Sequence, residues 1–408
     1  MATTFDYKVR DKSGNMIQGQ LDGDSLPVVV GRLREMGYLP VSVTPAPSAG
    51  LKTEIVIPGF TDRIKPKEVA MFTRQFATMV DSGLSISRSL AVLANQVENK
   101  YLGEKLRLVR ENVESGSSLS AALARHPKVF NNLYVAMVQA GEVGGSIDVV
   151  LKNIADQLET QVELNRKIRG AMTYPIVVVS VIVVIFLVMM VVIVPIFKKL
   201  FTTLGGKLPT PTRILISISN TLLSWHAAIV VLVIVAGVIA FRRWIHTEGG
   251  RMKWDGFKMK PPVFGPLVHK TVLARFASTL SSMLESGVPA MEALDIVAQA
   301  SGNAVMATAV QDIKRAVREG RSFAEPMRRH EIFPTLITQM VEVGESTGAL
   351  DEMLHRTAEF YTGEVNQTVD NLTSILEPML VVTMGVIVGA IIISLYLPMF
   401  DYIKLINP

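Results

Sequence analysis

The chain has 408 residues, of which 49% are hydrophobic and 19% are charged. The charged fraction lies below the roughly 25% typical of soluble proteins, so the composition indicates a membrane protein. The net charge of +5 is spread along the chain, which argues against a nucleic-acid partner. The absence of cysteine excludes disulfides and thiolate metal sites.

Residues 1–45 predict a small α/β module, which a linker over residues 46–61 separates from the rest. The N-terminus lacks the apolar run of a secretory signal, so we expect it to stay in the cytoplasm. The module contains an alternating strand pattern at 4–9, a second at 16–21, a helix over 25–36 and a third strand at 39–43.

A helical bundle is predicted over residues 62–170. Its first helix has apolar residues at the spacing of one helix face, namely Val69, Phe72, Phe76, Met79 and Val80. Glycines interrupt the pattern at intervals typical of helix ends, and no strand pattern appears between them. We therefore predict about six helices in this bundle.

Three apolar stretches predict membrane-spanning helices over residues 172–197, 214–241 and 376–400. Within the first, residues 176–194 have Ser180 as their one polar side chain and cover roughly 28 Å, enough to cross a hydrocarbon core. The second lacks Asp, Glu, Lys and Arg, although its beginning is more polar.

The spacing of the spans predicts the topology. The short loop over residues 198–213 and the tail over 401–408 lie on one side, which we expect to be external or periplasmic. The bundle over 62–170 and a second hydrophilic region over 253–374 lie on the other side. Basic residues after the second span favour a cytoplasmic location only weakly, because the short loop is basic too.

The two hydrophilic regions are copies of one unit. Adding 204 to each position of the stripe in the first bundle gives the same helix face in the second. After a slip of one residue near Phe130 and Phe333 the offset becomes 203, and it continues into the membrane, where Pro175 matches Pro378. The sequence therefore predicts a mainly α protein with two repeated cytoplasmic bundles, each followed by a span, and a third span between them.

Two glycine-rich segments contain an acidic residue at matching positions of the repeats. These are Gly141 and Glu142 in the first repeat, and Gly344 and Glu345 in the second. A role at the turn, as a helix cap or in a salt bridge, is favoured over a surface for a partner, because both repeats share the pattern.

Three further residues mark the last span. Glu377 precedes Pro378 at the predicted membrane boundary, where a solvated position is favoured over a partner contact. Gly385 and Gly389 form a G-x-x-x-G pattern, which allows close helix packing. That packing can be within one chain or between chains, and the sequence does not distinguish the two.

No catalytic or cofactor motif is present in the sequence. The segment nearest to a P-loop, residues 204–208, lacks the first glycine and the hydroxyl. The six histidines lack the spacing of a metal site, and we expect His126 and His330 to be structural. A small-solute transporter is a remote alternative, since the spans contain few polar groups.

Six segments resemble the PilC/GspF family, the polytopic platform proteins of type IV pilus assembly and type II secretion, over essentially the full length. The Tyr174-Pro175 pair and the G-x-x-x-G pattern resemble the pilus branch more than the secretion branch. The segments are FTRQFATMVDSGLSISRSL (72–90), AGEVGGSID (140–148), AMTYPIVVV (171–179), ARFASTLSSMLESGVPAMEAL (274–294), FPTLITQMVEVGESTGALDEML (333–354) and LEPMLVVTMGVIVGAIIISLYLPMF (376–400).

The resemblance implies a non-enzymatic protein of the bacterial cytoplasmic (inner) membrane without cofactors. It implies that the protein contacts a hexameric pilus assembly ATPase, pilins, other inner-membrane pilus components and membrane lipid, and that it forms a homo-oligomer. Such a platform helps to move pilin subunits between the membrane and a fibre. We expect movement of the bundles to reach the first and third spans through two short connections, at residues 166–174 and 368–377.

Overall fold

The computed structural model describes residues 3–10, 16–23, 26–45, 64–204 and 209–406 of the chain. It divides into two units, Met1–Arg63 and Ile64–Pro408. The predicted turn after the first strand and the linker over residues 46–61 lie outside the described residues.

The first unit is the predicted α/β module. Strands β1 (Thr3–Arg10) and β2 (Met16–Gly23) are antiparallel, and helix α1 (Leu26–Glu35) leads to β3 (Leu39–Pro45), which pairs antiparallel with the other side of β1. Phe5 and Val9 on alternate positions of β1 pack against Val29 and Leu33 of α1. One apolar face of the sheet is thus covered by one helix.

The first repeat consists of five short helices and the beginning of a long one. The aromatic rings of Phe72, Phe76 and Phe130 are fully buried in its core, where the ring of Phe72 contacts the other two. The helices are α2 (Pro66–Asp81), α3 (Ile86–Gln96), α4 (Lys100–Glu114), α5 (Leu119–Ala124), α6 (Asn132–Gly144) and α7 (Ile147–Val188).

The apolar region begins within α7. A π turn (Met189–Ile193) joins α7 to α8 (Val194–Leu204), and α9 (Thr210–Leu223) and α10 (His226–Ile245) come next. The second repeat then begins with a short extra helix, α11 (Glu248–Lys258).

The second repeat copies the first. Its core again contains a pair of phenylalanine rings, Phe276 and Phe333, with centroids 5.4 Å apart. Gly83 and Gly287, at matching positions, end α2 and its counterpart with φ of 83° and 79°, which a residue with Cβ rarely adopts. The helices are α12 (Gly265–Glu285), α13 (Ala290–Ala300), α14 (Ala304–Arg318), α15 (Ala324–Met327), α16 (Thr335–Thr347) and α17 (Leu350–Ile406).

The mainly α fold with duplicated bundles and three apolar helices is confirmed, and the helices of the structure begin and end at other residues than the predicted domains. The described residues contain three helices apolar and long enough to cross a membrane, at Ile147–Phe201, Ala227–Ile245 and Leu350–Phe400. The first and third begin deep inside the repeats, so no boundary exists at residues 170–172 or 374–376. The connections predicted at residues 166–174 and 368–377 are interior turns of α7 and α17.

The predicted span over residues 214–241 is two helices, with a break at Ser224, and only the second is a candidate span. The first packs against other helices because its hydroxyls donate to their carbonyl oxygens, as described below. The predicted loop over 198–213 is helical up to Leu204 and again from Thr210, and the predicted tail is helical up to Ile406.

Candidate functional site

A buried hydrogen-bond network joins the two repeats. The side chain of Gln157 on α7 is 8% exposed and faces α12. Its Nε2 donates to Thr279 Oγ1 at 3.1 Å, and its Oε1 accepts from Ser278 at 2.7 Å and Ser282 at 2.9 Å. A buried amide with these partners holds two helices in one register, because any shift leaves polar groups unpaired.

A cleft of about 490 Å³ lies beside this network, between α7, α12 and α17. His355 is at its edge, with Nδ1 3.1 Å from Glu285 Oε1 and Nε2 3.6 Å from Glu359 Oε1. No set of three or more His, Asp or Glu within the described ranges could hold a metal ion. The cleft is therefore lined by polar side chains of both repeats.

Ion pairs connect the first helix of each repeat to its long helix. Arg74 on α2 binds Asp156 and, through Nε at 2.8 Å, Glu159 of α7. The bond to Glu159 contributes most to raising the pKa of Arg74, and the same bond lowers the pKa of Glu159. In the second repeat, Lys270 Nζ lies 2.8 Å from Glu364 on α17. Each long helix therefore forms an ion pair with another helix of its own repeat.

Glu142 and Glu345 act as caps in equivalent places. Glu142 on α6 accepts from the backbone N–H groups of Leu119 and Ser120, the latter at 3.1 Å, and from the Ser120 hydroxyl. Glu345 on α16 accepts from the N–H of Phe323 at 3.1 Å. Both carboxylates thus bind the N-terminal turn of a short helix, where N–H groups lack intrahelical partners.

Gly141 and Gly344 permit two helices to approach closely. A Cβ on Gly141 would lie 2.9 Å from Val150 Cγ2, and one on Gly344 would lie 2.8 Å from Leu350 Cα. Each glycine therefore sits where the preceding helix crosses the start of a long helix. The four predicted turn positions thus make capping and close-packing contacts in the structure.

Glu377 is exposed on α17, next to Pro378, in the middle of a continuous helix. Pro175 occupies the matching place in α7, which is continuous too. Proline is tolerated within helices in apolar surroundings, where neighbouring groups compensate for the missing N–H. Each long helix therefore runs from its repeat into its apolar segment.

Two hydroxyls hold the apolar helices together. Ser219 on α9 donates to the backbone oxygen of Met190 at 2.6 Å, inside the π turn, and Thr212 donates to the backbone oxygen of Ser394 on α17. A π turn displaces backbone carbonyls from their usual partners, so the serine satisfies one of them. The apolar side chains around these bonds are Met190, Val194, Leu215, Ile216, Ile391 and Leu395.

Gly385 and Gly389 lie on an open face of α17. A Cβ added to either would meet no atom of the described residues within 4 Å. The G-x-x-x-G pattern is therefore not used for packing within the chain in this region, and the alternative of contact between chains stays a prediction.

The histidines have local roles. Nε2 of His126 is buried without a hydrogen-bond partner in the described residues, and burial lowers its pKa. Its counterpart His330 lies 3.3 Å from Asp312, and His269 Nε2 is 2.7 Å from the carbonyl oxygen of Ile332. These contacts are consistent with packing and helix-end roles.

The sequence did not single out Gln157, Ser219 or Thr212, which make the contacts between elements. One signal was available for Gln157, because the matching position of the second repeat is the apolar Phe360. A difference between repeats at an otherwise matching helix face indicates a contact that only one copy makes.

The fold and these contacts define a polytopic helical membrane protein built by duplication. The model of the type II secretion system (T2SS) protein F family matches residues 72–195 and again residues 276–398, and that of its N-terminal domain matches residues 1–44. The chain belongs to the type II secretion system protein F family. The two matched segments coincide with the repeats and include their apolar helices.

Relatives match almost the whole chain. A type IV pilus assembly protein PilC of Thermus thermophilus is 40% identical over 98% of both chains, and that of Myxococcus xanthus is 38% identical over 97% of this chain and 94% of its own. A type II secretion system protein F of Pseudomonas aeruginosa is 32% identical over 99% of both. The resemblance inferred from the sequence is confirmed, and the family together with the apolar helices fits a protein of the inner membrane.

Proposed function

We propose that this protein is the non-enzymatic inner-membrane platform of a type IV pilus assembly machine. In this role it couples a cytoplasmic hexameric ATPase to the insertion or extraction of pilin subunits. The relatives named as pilus assembly proteins support the pilus branch, since they are 38% and 40% identical to this chain and the secretion relative is 32% identical. The same role in type II secretion is the alternative.

The continuity of α7 and α17 is the observation that carries this proposal. These helices have 42 and 57 residues and extend roughly 63 Å and 85 Å. Because each helix packs in a repeat at one end and is apolar at the other, a displacement of the repeat reaches the apolar segment without a flexible joint. That arrangement suits a part that transmits force and needs no catalytic group of its own.

The proposed orientation places both repeats and the N-terminus in the cytoplasm and the C-terminus outside. Arg242 and Arg243 in the last turn of α10 support it, since basic residues are favoured at the cytoplasmic end of a span. The repeats would then be accessible to the ATPase, and the apolar helices to pilins, other inner-membrane components and lipid.

Affinity purification of the tagged full-length chain from its own cells tests the proposal. We expect a hexameric pilus ATPase and pilins to copurify after mild cross-linking. Pseudopilins and a secretin in their place would move the protein to the secretion branch. Recovery of neither set, together with substrate-dependent flux in liposomes, would favour a transporter instead.

A further inference from the structure

Four aromatic rings join the end of α10 to α11. The ring of Phe241 in α10 stacks on that of Trp244 with centroids 5.9 Å apart, and it meets the ring of Trp254 in α11 edge-on at 5.0 Å. Trp254 in turn stacks on Phe257 at 5.8 Å. Phe241 and Trp244 are both 43% exposed, and Phe257 is 57% exposed. The chain therefore presents a continuous aromatic surface that begins in a candidate span and continues outside it.

The same rings show that α11 folds back along the end of α10. Had α10 continued straight, the positions of Phe241 and Trp254 would be roughly 20 Å apart along its axis. The reversal occurs at Thr247, whose hydroxyl donates to the carbonyl oxygen of Trp244 at 2.7 Å and accepts from the N–H of Gly250 at 3.1 Å. Gly250 is needed there, because a Cβ would lie 1.9 Å from the same carbonyl oxygen. Trp254 is thus held at the depth of the last turns of the span.

One side of α11 packs on the start of α14. The carboxylate of Asp255, which is 3% exposed, accepts from the N–H of Ala304 at 2.8 Å and lies 2.6 Å from Lys258 Nζ. The side-chain nitrogen of Asn303 lies 3.9 Å from the sulfur of Met259. Because Asp255 and Met259 are one helical turn apart, these contacts use one side of α11, and the aromatic rings lie on the other side.

The segment over residues 242–260 is strongly basic, with six basic residues and two acidic ones. Asp255, one of the two acidic residues, is buried in the contacts with α14. Arg242, Arg243, Lys253 and Lys260 are exposed and form no ion pair with any residue that the structure describes. Uncompensated cations around an exposed aromatic surface indicate a ligand that is anionic and also offers an apolar region.

We infer that the four aromatic rings and these four cations, which we call the corner face, bind the headgroups of anionic phospholipids and hold α11 in the plane of the membrane surface. Aromatic side chains are enriched at the membrane interface, and clusters of Lys and Arg beside a span attract anionic lipid. The inference depends on α10 crossing the membrane and not on the proposed function.

The continuity of the corner face with α10 favours lipid over a protein as the ligand. All residues over 228–244 are exposed in the structure, and α10 is apolar enough to cross a membrane. The bilayer that covers this helix therefore also covers the rings beside its end. Contact of a span with acyl chains is general among membrane proteins, whereas the cations of the corner face add a preference among headgroups.

Quenching of tryptophan fluorescence in the full-length chain tests this inference. The chain has three tryptophans, so the variant Trp225→Phe with Trp244→Phe keeps Trp254 as the reporter. It is reconstituted in phosphatidylcholine vesicles that contain phosphatidylglycerol or phosphatidylcholine with a nitroxide near the top of the acyl chain. We expect both labelled lipids to quench Trp254, and the labelled phosphatidylglycerol to associate about fivefold or more tightly, which is the contribution of one cation at an anionic surface. This preference should fall as salt is added.

A charge variant in the same background tests the role of the cations. Lys253→Gln with Lys260→Gln should lower the preference for phosphatidylglycerol about fivefold, while quenching by the labelled phosphatidylcholine stays unchanged because Trp254 keeps its depth. The matched control is Lys67→Gln with Arg88→Gln, which removes two exposed cations of the first repeat that have no ion pair among the described residues. We expect the control to keep the full preference.

Three results would overturn the inference. Absence of quenching of Trp254 by either labelled lipid would place α11 away from the bilayer, where another protein covers the corner face. Equal association of the two labelled lipids would show that the corner face does not select anionic headgroups. An equal loss of preference in the control variant would show that the overall charge of the chain, and not the corner face, attracts the lipid.

Discussion

Lys167 on α7 and Asp370 on α17 occupy matching positions of the two repeats, and their charged groups lie 3.4 Å apart. The duplicated helices thus meet at the same position of each copy, close to the beginning of the apolar segments. This ion pair lies where the two long helices pack against each other, whereas the Gln157 network joins α7 to α12.

Reversing one charge of this pair should weaken the crossing. Because the two side chains are 38% and 66% exposed, we expect Lys167→Glu to lower the free energy of unfolding by only about 1 kcal/mol. The double variant Lys167→Glu with Asp370→Lys should recover most of that loss. Thermal unfolding in micelles measures both, and equal destabilisation by Lys152→Glu on the same helix would contradict the pairing.

Removing the buried side-chain amide of Gln157 should lower the free energy of unfolding more than reversing the charge of Lys167 does. Gln157→Ala leaves Thr279, Ser278 and Ser282 without the partner they have now, so we expect a loss of about 1–3 kcal/mol in the free energy of unfolding. Asn153→Ala is the control, because Asn153 makes one long bond at 3.4 Å. A similar effect of the two substitutions in chemical denaturation would argue against the network.

The two glutamate caps should differ in strength. Glu142 accepts three hydrogen bonds at the start of α5, whereas Glu345 binds a single N–H group. We expect Glu142→Gln to cost about 1–2 kcal/mol and Glu345→Gln about half as much. Hydrogen exchange at the Leu119 and Ser120 amides should accelerate in Glu142→Gln and stay unchanged in Glu345→Gln, and the reverse pattern would contradict the assignment.

His126 should make the first repeat sensitive to acid. Burial lowers its pKa in the folded state, with smaller contributions from Lys105 and Arg125. The unfolded chain therefore binds the proton more readily, so this contribution to stability is complete above about pH 6.5 and is lost as the pH falls through the folded pKa.

The substitution His126→Leu should reduce the fall of the unfolding midpoint below pH 6.5. At pH 8 it should leave this dependence on pH unchanged. Unfolding midpoints measured across this range check the prediction, with the exposed His246→Gln as the control. A profile of His126→Leu that still falls in parallel with that of the original chain would show that another group is responsible.

Much of the architecture could be predicted because it depends on local patterns. The offset between repeats, the helix face from Val69 and the helix-ending Gly83 and Gly287 are all properties of neighbouring residues. Helix α7 continues past residue 170, where we predicted the end of the bundle, because the polar residues around Lys167 are good helix formers and Pro175 does not end a helix in apolar surroundings.

The contacts between elements could not be predicted in the same way. A hydroxyl such as that of Ser219 reveals its role only when the carbonyl oxygen of Met190 is placed beside it. The contacts of α9 through Thr212 and Ser219 likewise depend on residues far away in the sequence.

The continuity of α7 and α17 can be tested most directly by interrupting it. A flexible Gly/Ser linker is inserted after Gly170 or after Thr373 in the full-length chain, and surface fibres are counted in cells that lack the original gene. An equal insertion after Gly116, in the exposed turn between α4 and α5, is the control.

We expect both helix insertions to abolish fibre assembly while the protein still reaches the membrane at normal levels, and we expect the control to assemble fibres. Normal fibre numbers with a linker in α7 and in α17 would contradict the claim that these helices carry movement from the repeats into the membrane.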